Sequence, residues 1–222
     1  MPQLIVSGLA KSYPTAGEPL DVLKDVNLKL ASGQSLAIVG PSGTGKSTLL
    51  QILGTLDRPD AGSVLIDDRD PFQLNETALA EFRNQQIGFV FQDHHLLPQL
   101  SVIENVLVPT LASGSPSKEH SERAGVLLES VGLSDRMGHL PGELSGGERE
   151  RAAIARALLM QPALILADEP TGNLDRRTAD AITELLLDLQ QASGSILITV
   201  THSESLADAM QQKKELIEGE LS

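Results

Sequence analysis

The chain has 222 residues, 41% of them hydrophobic, which is enough for one generous domain or two closely joined lobes with a real core. It contains no cysteine, which rules out a disulfide framework or thiolate metal site, and 30 acidic against 17 basic residues leave a net charge of −13, disfavouring nucleic acid and anionic lipid as direct partners. The opening Met1-Pro2-Gln3-Leu4-Ile5-Val6 has no basic segment ahead of an apolar one, and no run reaches the length of a membrane span, so a cytoplasmic protein is expected.

In chain order, residues 22 to 30 end in alternation, with Val26, Leu28 and Leu30 apolar and Asn27 and Lys29 polar. That period predicts a half-exposed strand in an antiparallel N-terminal β region. Leu36–Val39, Ile87–Phe91, Ala163–Ala167 and Ser195–Val200 are short apolar runs ended by polar residues. They predict a parallel sheet covered on both faces. From 178 to 191, Ala179, Ile182, Leu185, Leu186 and Leu189 share one helical face. Residues 93 to 160 carry no strand pattern, and Gly114-Ser115-Pro116-Ser117 breaks them into helical pieces. The expectation is a single α/β domain, with a core lobe from about 1–92 and 161–222 and an inserted helical lobe at about 93–160.

Gly40-Pro41-Ser42-Gly43-Thr44-Gly45-Lys46-Ser47 follows a buried strand and leads, from Thr48, into an apolar run that continues as a helix. This is the phosphate-loop pattern, in which glycines let backbone N–H groups turn toward a nucleotide's phosphates. Lys46 is expected to pair with the β/γ-phosphates, and the Ser47 hydroxyl to ligate Mg²⁺. A second buried run delivers Asp168 and Glu169 at its polar end. Asp168 is placed to hold Mg²⁺ through water, and Glu169 to orient a water for attack on the γ-phosphate. Further on, Leu144-Ser145-Gly146-Gly147-Glu148 stands directly before a helical run. Ser145 there is either a helix N-cap, an anion ligand together with the two glycines, or both.

With these three motifs in this order, the chain resembles, nearly end to end, the ATP-binding subunit of ABC transporters. The resemblance implies that Tyr13 lies against adenine, that Gln92 is the lid glutamine serving catalysis and the Mg²⁺ site, and that His202 is the switch histidine. It implies that Gly172-Asn173-Leu174-Asp175 follows the catalytic acid, with Asp175 at a dimer contact. It also implies head-to-tail closure of two copies, in which Ser145, Gly146, Gly147 and Glu148 of one chain reach ATP held by the other. A separate transmembrane subunit is then required as a partner, and the chain is peripheral on the inner face of the cell membrane. A satisfied surface histidine is the alternative reading of His202.

Asn84-Gln85-Gln86-Ile87-Gly88, His94-His95-Leu96-Leu97-Pro98, Glu104-Asn105-Val106 and Asp168-Glu169-Pro170-Thr171-Gly172-Asn173-Leu174-Asp175 are similar to the group of lipoprotein-releasing, macrolide-export and cell-division ATPases, nearest the first. In the family, the segment holding His94, His95, Leu96 and Leu97 faces the membrane subunits; a plain contact within the helical lobe is the alternative. Asp93 and Ser203 depart from the family pattern, as does Glu150, which stands where Gln is frequent and is expected to bring a carboxylate near the partner's nucleotide. A soluble ABC ATPase that remodels a protein complex is the alternative function.

Overall fold

The computed structural model describes residues 3–222. The chain runs through β1 (Gln3–Tyr13), β2 (Leu20–Ala31), β3 (Ser35–Val39), α1 (Lys46–Leu53), β4 (Ala61–Ile66), α2 (Glu76–Gln86) and β5 (Ile87–Phe91). It continues through α3 (Val102–Leu107), α4 (Lys118–Ser130), α5 (Gly146–Leu158), β6 (Leu164–Asp168), α6 (Arg176–Ser193), β7 (Ile196–Val200), α7 (Glu204–Ala209), β8 (Gln212–Ile217) and β9 (Glu220–Leu221).

Two sheets result. One is antiparallel, in the order β2-β1-β4; the other has the order β5-β6-β7-β3-β8-β9 and is parallel except for β9. The four apolar runs expected to form the parallel sheet are its β3, β5, β6 and β7, and no strand occurs between β5 and β6 among the described residues. The sequence reading did not anticipate β8. Its Gln212-Lys213-Lys214-Glu215 start is polar and only Leu216 is buried, as suits a strand near a sheet edge.

Pleating explains why the central strands are apolar throughout. Leu36 and Ile38, Leu164 and Leu166, and Ile196 and Ile198 enter one core, together with α1 and the antiparallel sheet. Their neighbours Ala37, Ile165, Ala167 and Leu197 enter a second, against α3, α4, α5 and α6. With side chains alternating at period 2, a sheet covered on both sides needs apolar residues at every position. In α6 only part of the expected face is fully buried, at Ile182 and Leu186, joined by Thr183 and Gln190.

Helix α5 lies so close over β5 that Gly88 has no room for a side chain: an added Cβ would stand 2.4 Å from Ala157 O and 3.1 Å from Pro162 Cγ. The obstructing atom is backbone. Gly88→Ala is therefore expected to destabilise the protein by about 1–3 kcal/mol, the usual cost of overpacking, lowering the urea midpoint with an unchanged m-value. An unchanged midpoint would contradict the close approach.

Candidate nucleotide site

The loop between β3 and α1 is shaped by backbone that only glycine adopts easily. Gly40 (φ 142°), Gly43 (φ 83°) and Gly45 (φ 100°) all have positive φ. Space matters as well at two of them: a Cβ on Gly40 would lie 2.4 Å from Leu216 O in β8, and one on Gly45 would lie 2.8 Å from Val22 O in β2. Lys46 is 6% exposed, and its Nζ donates to the carbonyls of Gly40 (2.8 Å) and Pro41 (2.7 Å). The Thr44 hydroxyl donates to Pro41 O (3.0 Å), closing the turn around Ser42. Burial holds the Lys46 ammonium below the ordinary lysine range, against the opposing pull of the Glu169 and Asp168 carboxylates.

Those carboxylates stand at the end of β6, next to β7, which in turn borders β3. Burial raises the Asp168 pKa and the Glu169 charge raises it further, while the Ser47 hydroxyl and Lys46 pull it down. Glu169 has a left-handed backbone (φ 47°), fixed by its N–H donating to Val200 O (2.9 Å). Its Oε2 accepts from the Thr201 hydroxyl and from His202 N–H, both at 3.2 Å. Its Oε1 is buried without a hydrogen-bond partner, 3.7 Å from Nε2 of His202, whose ring is half exposed. The loop is thus brought together with Ser47, Asp168, Glu169 and His202 at the carboxyl ends of three adjacent strands, where open α/β sheets bind ligands. Ser47 and Asp168 offer hard oxygen donors that fit Mg²⁺, which takes few protein ligands beside phosphates and water.

Gln92 follows β5 directly; its side chain is exposed and its carbonyl accepts from Asn173 Nδ2 (3.4 Å), joining it to the loop after Glu169. Asp175 at the end of that loop caps α6 through Thr178 N–H (3.2 Å) and Thr178 hydroxyl (2.6 Å). Tyr13, ending β1, donates its hydroxyl to Asp57 Oδ2 (2.7 Å), and Lys11 Nζ lies 5.0 Å from the ring centroid. Lys11 also pairs with Asp57 at 3.0 Å, so one carboxylate holds both.

The turn of Ser145–Glu148 stands apart from this cluster, at the start of α5 against Leu174 and Thr178. Ser145 caps α5 reciprocally: its Oγ accepts from Glu148 N–H (3.3 Å), and Glu148 Oε2 accepts from Ser145 N–H (2.8 Å) and hydroxyl (2.7 Å). Those bonds, with Arg136 at 3.2 Å, bring the Glu148 pKa down to about 2. Its carboxylate is engaged within its own turn.

Glu150 departs from the sequence expectation. It is fully buried, 2.6 Å from Nδ1 of His94, and so faces inward to the loop after β5 instead of outward toward a partner's nucleotide. Its position on α5 decides this, because side chains one turn apart along a helix share a face and Glu150 falls on the face of Gly147 and Ile154, both buried. Sequence reasoning also missed Asp57, Thr201 and Arg136, each tied to its site residue by contacts between separate elements or loops. Only Thr201, beside His202, carried a local cue.

Comparison with known proteins agrees with the α/β architecture. A family model described as ABC transporter matches residues 23–172. The lipoprotein-releasing system ATP-binding protein LolD 1 of Rhodopirellula baltica is 66% identical over 218 residues, covering 98% of this chain and 95% of that protein. LolD of Geobacter metallireducens is 51% identical over 97% of this chain and 96% of its own length. Among solved structures, the dimeric post-hydrolysis state of the ATP-binding cassette MJ0796 bound to ADP and Pi superposes with a TM-score of 0.88 at 38% identity, covering 99% of this chain and 96% of that one. A likeness that runs almost from end to end, through the same α/β architecture, leaves one assignment: the chain belongs to the ABC transporter family.

Proposed function

We propose that this ATPase is the motor subunit of a lipoprotein-releasing transporter, closing as a homodimer on ATP and driving a separate membrane subunit. The names of the near relatives support the cargo, and the dimeric cassette supports the homodimer. In this reading the span belongs to another chain and this one is peripheral on the inner face; no helix among the described residues is long and apolar enough to cross a membrane. The observation that carries the reading is the convergence of the glycine loop, Asp168, Glu169 and His202 at neighbouring strand ends.

Tyr13, presented by Asp57, lies against the adenine ring. Residues 40 to 48, from Gly40 and Pro41 through Thr48, cradle the phosphates with their N–H groups, and Lys46 exchanges its two carbonyl partners for phosphate oxygens. Ser47, Asp168 and Gln92 would hold Mg²⁺, which would neutralise charge on the β- and γ-phosphates. Glu169, with one oxygen fixed by Thr201 and His202 and the other unpartnered, receives a proton from the attacking water. His202 steadies the γ-phosphate. Across the dimer, Ser145, Gly146 and Gly147 present N–H groups to the γ-phosphate, while Glu148 fixes their turn and Asp175 lies at the contact. Binding ATP better closed than open is what converts nucleotide into movement. Residues 93–160 act as a lobe, with 1–92 and 161–222 forming the core. His94, His95, Leu96 and Leu97 face the membrane subunit, and His95 lines a groove of about 430 Å³ together with Phe91, Val108, Pro109, Arg156 and Met160.

Glu169→Gln is expected to keep nucleotide binding and lose about 10²–10⁴ in turnover, the usual worth of a general base. Lys46→Ala should instead weaken binding about 10- to 100-fold, as befits loss of a hydrogen bond to a charged group. Phosphate release and fluorescent-nucleotide titration separate the two; normal turnover in Glu169→Gln would remove the assigned base.

A mixture of Ser145→Arg and Lys46→Ala chains contains one intact composite site per mixed dimer. ATP-dependent dimerisation, followed by sedimentation, should appear in the mixture and in neither variant alone. Its absence from the mixture would contradict the shared site.

Tagged Glu169→Gln, recovered from solubilised membranes with ATP and Mg²⁺, should bring down a multi-span protein with a large extracytoplasmic domain, identified by mass spectrometry. Recovery of soluble proteins alone would favour an assembly ATPase instead.

A further inference from the structure

Glu150 is fully buried, and neither of its oxygens has a partner in hydrogen-bond geometry, an expensive arrangement for a carboxylate that only a close ion-pair contact offsets. Its neighbours come from the loop that follows Gln92: His94 Nδ1 lies 2.6 Å from Oε2. One and a half turns further along the same helix, Arg156 sends one guanidinium nitrogen to His95 O (2.7 Å) and another to His94 O (2.5 Å). Both histidines have left-handed backbones, at φ 58° and 46°, which a side chain other than glycine adopts only when its surroundings enforce it. The His95 ring also stands edge-on to Phe91, centroids 4.9 Å apart. A strained two-residue bend is thus clamped from α5 by one carboxylate and one guanidinium. Glu150 lies one turn from Gly147, so α5 carries both the clamp and the glycine turn.

We propose that Glu150 and Arg156 are positioning residues, bracing the Gln92 loop of one half-site to the Ser145–Gly147 turn that serves the other half-site. The inference rests on the shared-site reading above. Gln92 acts on the nucleotide bound by its own chain, and Ser145–Gly147 on the nucleotide bound by the partner. A rigid link through α5 makes the placement of the one depend on the placement of the other, and neither brace residue touches ATP. Arginine is suited to the task because its planar fork reaches two carbonyls at once, which a lysine ammonium on a flexible stem does not hold in fixed geometry. Cutting the brace should leave nucleotide capture by a single chain intact and weaken closure of the pair.

The test uses the full chain carrying Glu169→Gln as parent. Nucleotide affinity of the single chain is measured with fluorescent ATP at high dilution, and ATP-driven dimerisation by sedimentation velocity. Adding Glu150→Ala should leave single-chain affinity within about twofold, because the glycine loop and Lys46 are untouched, and weaken dimerisation about tenfold, within the ordinary span of site-to-site coupling. Glu150→Gln, which keeps shape and an acceptor for His94, should restore dimerisation. Arg156→Lys should reproduce the loss without touching Glu150, which covers the case in which Glu150→Ala folds poorly. The brace is overturned if Glu150→Ala and Arg156→Lys dimerise like the parent, or if single-chain affinity falls as far as dimerisation does. A parent that itself fails to dimerise on ATP would instead count against the shared-site reading.

Discussion

The interaction on which the rest depends is the tie between Glu169, directly after β6, and the neighbouring strand β7. Glu169 donates its N–H to Val200 O and accepts from Thr201 and His202, so three bonds from one strand end fix both its backbone and one carboxylate oxygen. A left-handed φ at a non-glycine residue costs on the order of 1–3 kcal/mol and persists only where neighbours over-determine it. Here they do. The other oxygen is left buried and unpartnered, and a carboxylate in that condition has the most to gain from a water or a cation.

Placing such groups at strand ends requires a sheet with no soft face. The central strands divide their side chains between two cores, so α1 and the antiparallel sheet press from one side while α3 to α6 press from the other. Loops leaving a sheet clamped in this way have little freedom. The phosphate loop is held against Leu216 O on one side and Val22 O on the other, and Gly88 shows how closely α5 lies on β5.

How much of this was legible from sequence varied with the range of the cause. The shape of Gly40 to Ser47 was readable because its constraint is local: glycine at the positions of positive φ. The buried strands were readable because covering both faces leaves an unbroken apolar run, and Ser145 because a cap is decided within one turn. The reading of Tyr13 came only from family resemblance, and Asp57, which anchors its hydroxyl across 44 residues of chain, gave no signal at all. Glu150 was misplaced because the destination of a carboxylate depends on which face of α5 meets the loop after β5. The polar strand β8 gave no apolar signal, since its pairing with β3 supplies backbone bonds and needs few buried side chains.

That last strand has a consequence for biosynthesis. β3 pairs with β7 on one side and β8 on the other, and Gly40 rests against the β8 backbone at Leu216. A nascent chain that has already emerged with Gly40 to Ser47 therefore lacks both strands that flank β3, and the Leu216 side of its glycine loop, until residues 196 to 216 follow. Non-local strands of this kind pair late, and their edges stay open meanwhile. The final shape of the loop is then a property of the finished sheet, so a stalled ribosome leaves a fragment bearing the glycine motif without the backbone that packs against it.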